Sequence, residues 1–176
     1  MFRYLIPIGL LVALLAFFFV GLGRDKETLP SALIGKPAPA FSLPRVGEAG
    51  QSVSSSDFAG HPYVLNVWAT WCVGCRQEHE ELLKIASRGE VPIVGLNWKD
   101  DMQLAQQWLQ QLGNPYVATA FDEEGRVAID WGVYGAPETF LIDASGKVIY
   151  KHVAPMSVEI WENEFLPLLK QQSVRK

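Results

Sequence analysis

Cysteine is scarce in this chain: two among 176 residues, at positions 72 and 75. A domain stapled by structural disulfides carries several, widely spaced, so that class is excluded and each cysteine has only the other as a covalent partner within the chain. Charge is sparse too. Charged residues make up 19% of the sequence, the net charge is −4, and there is no tract of Lys or Arg. A nucleic-acid-binding surface would need a basic patch, and none is offered. The histidines are His61, His79 and His152. A structural zinc site needs four ligands at set spacing. His79, four residues after Cys75, supplies one extra ligand at most, so no metal is expected. There is no internal repeat and no low-complexity stretch. What remains is 49% hydrophobic, enough for a globular unit. Setting aside the N-terminus leaves roughly 150 residues, one ordinary domain.

The long apolar run is Tyr4–Leu22, YLIPIGLLVALLAFFFVGL. It is uncharged over about 19 residues, near the span of a bilayer core and longer than the apolar part of most signal peptides. The expectation is a retained anchor over residues 1–23, with a cleaved signal at Gly21-Leu22-Gly23 as the alternative. Arg3 on one side and Arg24 and Lys26 on the other leave orientation poorly marked. An external location for the C-terminal part rests on analogy with single-anchor bacterial proteins. Residues 24–40, with Pro30, Pro37 and Pro39, read as a linker, and 41–176 as the folded domain.

Within that domain Ser54-Ser55-Ser56-Asp57 predicts a short capped helical turn. Tyr63–Trp68 predicts a buried strand and residues 72–88 a helix. Residues 91–96 read as a strand, 102–112 as an amphipathic helix stopped by Gly113-Asn114-Pro115, and 116–121 as a further strand. A short helix or turn over 126–134 precedes a hairpin of 139–142 and 148–153. A closing helix over 160–170 should be interrupted near Pro167. Alternating strands and helices followed by a terminal hairpin give an α/β fold with a central mixed sheet flanked by helices.

Trp71-Cys72-Val73-Gly74-Cys75 follows a buried strand and opens a helix. In that setting the first sulfur meets unpaired backbone N–H groups and the positive end of the helix dipole, which favour the thiolate, the attacking species. Cys75, one turn further in, can close a ring with Cys72 and release a mixed disulfide. Haem attachment through CxxCH is excluded because residue 76 is Arg. Trp71, next to Cys72, suits shielding the sulfur or touching a partner. Pro137, directly before a core strand, is either a plain turn or a cis-proline loop whose backbone a substrate strand can pair with. Glu78 and Glu138 are surface charges by default. Near the sulfurs, either would raise thiol pKa values, and a carboxylate could take the Cys75 proton. With no cation between the cysteines, these features favour a reductant over a strong oxidant.

The Trp71–Cys75 segment, with its strand and helix, resembles the thioredoxin superfamily. Gly132-Val-Tyr-Gly-Ala-Pro-Glu-Thr-Phe-Leu-Ile-Asp143 is similar to the signature of its CcmG/DsbE branch, the thiol–disulfide proteins of cytochrome c maturation. Leu29–Phe41 and Arg76-Gln-Glu-His79 resemble the same branch. The resemblance implies a thioredoxin-like fold on an N-terminal transmembrane helix in the bacterial inner membrane, with the catalytic domain in the periplasm. It further implies a cis peptide at Pro137, Glu78 and Glu138 near the sulfurs, and Tyr134 lining the same groove. Its activity would be to keep haem-attachment cysteines of apocytochrome c reduced, directly or through another maturation protein. A DsbD/CcdA-type membrane conduit would supply electrons. No cofactor beyond the Cys72–Cys75 pair is implied. Val73-Gly74 departs from relatives that often carry proline there. A broad periplasmic reductase, an oxidase, an apocytochrome-binding chaperone and a peroxidase are the alternatives.

Overall fold

The computed structural model of the chain describes residues 2–22 and 31–173. Helix α1 spans Phe2–Leu22. Its described side chains run from residue 6 to 19, and the large apolar ones among them are exposed. Among the described residues no helix is long and apolar enough to cross a membrane. At 1.5 Å per residue, the part of α1 with described side chains covers only about 20 Å. The expected transmembrane helix is therefore not shown, and the Arg24 and Lys26 flank lies outside the described residues.

Five strands form the main sheet: β3 (Tyr63–Trp68), β4 (Ile93–Trp98), β5 (Ala118–Asp122), β6 (Glu138–Ile142) and β7 (Val148–His152), in the order β5-β4-β3-β6-β7. β3–β4 and β4–β5 are parallel; β3–β6 and β6–β7 are antiparallel. The mixed sheet is as expected. Every residue of β3 is buried, as a central strand covered on both faces requires. The parallel steps are made by α2 (Val73–Ala86) and α3 (Met102–Leu112). Asp101 caps α3 by accepting from the N–H groups of Gln103 and Leu104 at 2.8 and 2.9 Å. The short α4 (Arg126–Asp130) leads to β6; the carboxylate of Asp122 accepts from Ala128 N at its start, 2.8 Å away.

The two faces of the sheet carry separate cores. One joins Leu82 and Ile85 of α2, Ala105 and Leu109 of α3, Leu141 of β6 and Trp161 and Phe165 of the C-terminal helix. The other joins Leu65, Val67, Leu96, Phe140 and Ile142 to Phe41, Ala128 and Trp131. Alternation along β6 sorts its side chains between them.

Three differences from expectation have local causes. A two-stranded antiparallel sheet, β1 (Ser42–Pro44) with β2 (Ser52–Ser54), covers part of the second face; its strands are too short to show a period in sequence. Residues 35–38, within the expected linker, hydrogen-bond along β7: Gly35 N to Val148 O at 2.8 Å, Val148 N to Lys36 O at 3.0 Å and Ala38 N to Gly146 O at 2.8 Å. The closing helix does not break. α5 (Val158–Ile160) passes through a π turn, Trp161–Phe165, into α6 (Leu166–Ser173). Leu166 N donates to Trp161 O five residues back, which admits Pro167, without an N–H of its own, one residue later.

Candidate active site

Cys72 and Cys75 form a disulfide with Cα atoms 5.3 Å apart. Cys72 is the N-cap of α2, with extended backbone, and its Sγ accepts a hydrogen bond from Cys75 N at 3.0 Å. The cap position, usually filled by an oxygen acceptor, is here filled by a sulfur. In the disulfide only 5% of Cys72 is accessible. Its neighbours Trp71 and Val73 are 55% and 74% exposed and give the turn an apolar rim.

The segment entering the helix is held from β4. Thr70 donates from both N and Oγ1 to Asp100, each at 2.6 Å, and Asn97 Nδ2 donates to the same carboxylate at 2.9 Å. Trp71 Nε1 donates to Lys99 O at 2.9 Å. Trp71 thus contacts solvent with its ring while its nitrogen anchors the loop.

The peptide Ala136–Pro137 is cis, the isomer the resemblance implied. Pro137 is buried against the CxxC turn. A Cβ on Gly74 would stand 2.8 Å from Pro137 Cδ and 3.4 Å from Pro155 Cγ, so glycine lets the proline loop close directly onto the turn. Tyr134 is 55% exposed at the rim of this loop.

Glu78, three residues after Cys75, lies on the same buried face of α2. It is 1% exposed. Oε1 accepts from Asn66 Nδ2 at 2.9 Å and Oε2 from Met156 N at 2.6 Å. Asn66 is in turn fixed by Tyr116 OH, which donates to its Oδ1 at 2.8 Å, and by donating to Thr139 Oγ1 at 3.0 Å. Burial pushes the Glu78 carboxyl up to about 7, against the two hydrogen bonds that favour its ionised form. Burial, and then the negative charge of Glu78, hold the Tyr116 hydroxyl well above its ordinary range.

Glu138 is also fully buried but projects to the other side. β6 alternates, so Thr139 joins the Glu78 network while Glu138 sits on the face of Phe140. Its Oε1 accepts from Tyr134 N at 3.1 Å, and its Oε2 makes an ion pair with Lys151 Nζ at 2.9 Å, whose angles fall short of a hydrogen bond. The structure therefore brings Cys72, Cys75, Trp71, Glu78 and Pro137 around one turn, with Tyr134 at the edge, and sets Glu138 behind the proline loop.

Asn66, Tyr116, Asp100 and Lys151 were not singled out from sequence. Asn66 carried a signal, as the one amide inside the buried run Tyr63–Trp68. A lone lysine in a short strand carries none. Both ring nitrogens of His79 are engaged within the protein: its Nδ1 accepts from Trp108 Nε1 at 3.2 Å and its other nitrogen meets Gly113 O at 3.0 Å. Burial pushes the imidazole below its ordinary range, in keeping with this neutral arrangement.

The pattern of the Redoxin family matches residues 33–165. The chain belongs to the redoxin family. The thiol:disulfide interchange protein DsbE of Allochromatium vinosum is 44% identical over 167 residues, 95% of this chain and 92% of that protein. DsbE of Escherichia coli K12 is 44% identical over 175 residues, 96% and 94% of the two chains. A crystal structure of a DsbE candidate from Chlorobium tepidum superposes with TM-score 0.63 at 29% identity, covering 79% of this chain and 94% of the other. A secreted thiol-disulfide isomerase from Corynebacterium glutamicum shares the fold, with TM-score 0.70 at 20% identity over 84% and 96%. This redoxin is a thiol:disulfide oxidoreductase of the DsbE/CcmG type.

Proposed function

We propose that the chain is a reductant that keeps the CxxCH cysteines of apocytochrome c reduced during cytochrome c maturation, directly or through another maturation protein. The observation that carries the reductant half is the environment of Cys75. One turn below it lies a buried carboxylate with only neutral donors. Negative charge there works against thiolate, and a weakly stabilised thiolate makes the dithiol readier to give up electrons. The similarity of Gly132–Asp143 to the signature of the CcmG/DsbE branch, beside DsbE relatives similar along nearly their whole length, supports the cytochrome half.

In the proposed cycle, Cys72 thiolate attacks one sulfur of the substrate disulfide. That S–S bond breaks, the other substrate sulfur leaves as a thiolate, and a mixed disulfide forms against the Pro137 loop. Cys75 gives its proton to the Glu78 carboxylate and attacks Cys72 Sγ. The mixed disulfide breaks and the second substrate thiolate departs. The substrate gains two electrons and the enzyme holds the Cys72–Cys75 disulfide. No metal or organic cofactor enters these steps. Electrons for recharging come from a DsbD/CcdA-type membrane donor.

The same reading places the domain in the periplasm on a single N-terminal anchor in the bacterial inner membrane. The uncharged stretch Tyr4–Leu22 and the exposed apolar side chains of α1 support this. Trapping tests the whole proposal. A Cys75→Ser variant expressed in cells should accumulate mixed disulfides through Cys72 with apocytochrome c or a maturation protein. Capture of unrelated periplasmic proteins instead, or a reduction potential near the −120 mV of DsbA-type oxidants, would replace it with a broad reductase or an oxidase.

A further inference from the structure

Lys151 has no part in the chemistry described so far, yet its amine is sealed in the protein, with 4% of the side chain accessible. A buried ammonium is costly unless it is fully engaged. Its partners run from the turn after α4 into the first residues of β6. Nζ donates to Gly132 O at 2.9 Å and pairs with Glu138 Oε2 at 2.9 Å. It lies 4.5 Å from the centre of the Tyr134 ring and 5.1 Å from that of Phe140. Glu138 extends the hold by accepting from Tyr134 N. One cation thus fixes the start of the loop, the ring on its rim and the residue after Pro137.

We propose that Lys151 is a positioning residue for the thiol–disulfide reaction, holding Tyr134 and the cis-Pro137 loop as one wall of the groove in which a disulfide substrate lies. Lys151 pairs across the sheet with Phe140, on the face away from Cys72 and Cys75, so this post holds the loop from behind. Arginine, with its longer fork, keeps the charge and the donors; methionine keeps only the stem.

The test uses reduction of insulin disulfides, which needs the groove but no cytochrome partner, so its failure is separate from failure of the cytochrome reading. Lys151→Met alone leaves a buried, unpaired Glu138 and endangers folding. The decisive variant is therefore the charge-free pair Lys151→Met/Glu138→Gln, because replacing a buried ion pair with neutral groups is tolerated. The expected result is a folded protein whose KM for insulin rises about fivefold or more, with kcat changed much less. Alkylation of reduced Cys72 by iodoacetamide, too small to need the wall, should slow by less than KM rises. Lys151→Arg should retain a KM near that of the parent. A folded double variant with the parent KM overturns the proposal. So does one whose alkylation slows as much as its KM rises, since the damage would then lie at the cysteines.

Discussion

Glu78 and Glu138 are both sealed from solvent, on opposite faces of one sheet, and each lies close in sequence to an element of the reactive turn: Glu78 below Cys75, Glu138 after Pro137. Their partners differ in kind. Glu138 has a cation 2.9 Å away. Glu78 has an amide and a backbone N–H. Hydrogen bonds from neutral donors do not match the hydration that an ionised carboxylate loses, so burial dominates and Glu78 holds its proton to about pH 7. An ion pair makes a fixed structural strut; a carboxylate among neutral donors makes a group able to accept and return a proton near neutrality.

The largest effect should come from breaking the strut. Lys151→Met leaves Glu138 buried and unpaired, and unfolding in urea should show a loss of about 3–5 kcal/mol. Adding Glu138→Gln should recover most of it. If the single variant is as stable as the parent, the distinction between the two carboxylates fails at its root.

The second effect concerns pH. Unfolded Glu78 gives up its proton near 4.5 and folded Glu78 near 7. Between these values the folded state binds more protons, so stability falls as pH rises through the window and levels off above it. For the oxidised protein the loss amounts to roughly 3 kcal/mol. Glu78→Gln should flatten that part of the stability–pH curve. An unchanged slope in Glu78→Gln would contradict the assignment.

Third comes chemistry. Glu78→Gln removes the acceptor for the Cys75 proton, and resolution of a preformed mixed disulfide on Cys72 should slow about tenfold or more near pH 7. Rapid mixing with a thiol-specific chromophore measures it. A resolution rate equal to that of the parent would leave Glu78 with a structural role only.

How much of this was legible in sequence follows from the range of each interaction. The helix opening at Cys72 and the strand Tyr63–Trp68 are local consequences of spacing and composition, and the structure has both. The boundaries of β4 and β5 shifted toward the C-terminus, to Ile93–Trp98 and Ala118–Asp122, because Pro92 and Pro115 set the flanking turns while apolar content alone placed the starts too early. Pairings such as Asn66 with Glu78, or Lys151 with Glu138, join different elements, and register decides them. That Glu78 and Glu138 occupy opposite faces follows from the alternation of β6 once β6 is known to pair with β3 through Asn66↔Thr139 and Val67↔Glu138. No single segment contains that information.

Adjacency along β6 gives the finest probe of the contrast. Thr139 is next to Glu138 in the chain, but its Oγ1 accepts from Asn66 Nδ2 at 3.0 Å, on the Glu78 side. Thr139→Val keeps the shape of the side chain and removes that acceptor. One amide hydrogen of Asn66 is then left without a partner in a buried site, at a cost of about 1–2 kcal/mol. Asn66 is also less firmly held against Glu78, so its help to the ionised carboxylate weakens and the Glu78 titration should move further up. The Lys151–Glu138 pair on the other face keeps every contact it has. A titration of the Glu78 carboxyl by carbon NMR should therefore shift upward in Thr139→Val, while the Glu138 signal stays where it is. Equal movement of both signals would mean that the strand transmits strain through its backbone and that the two faces are not independent.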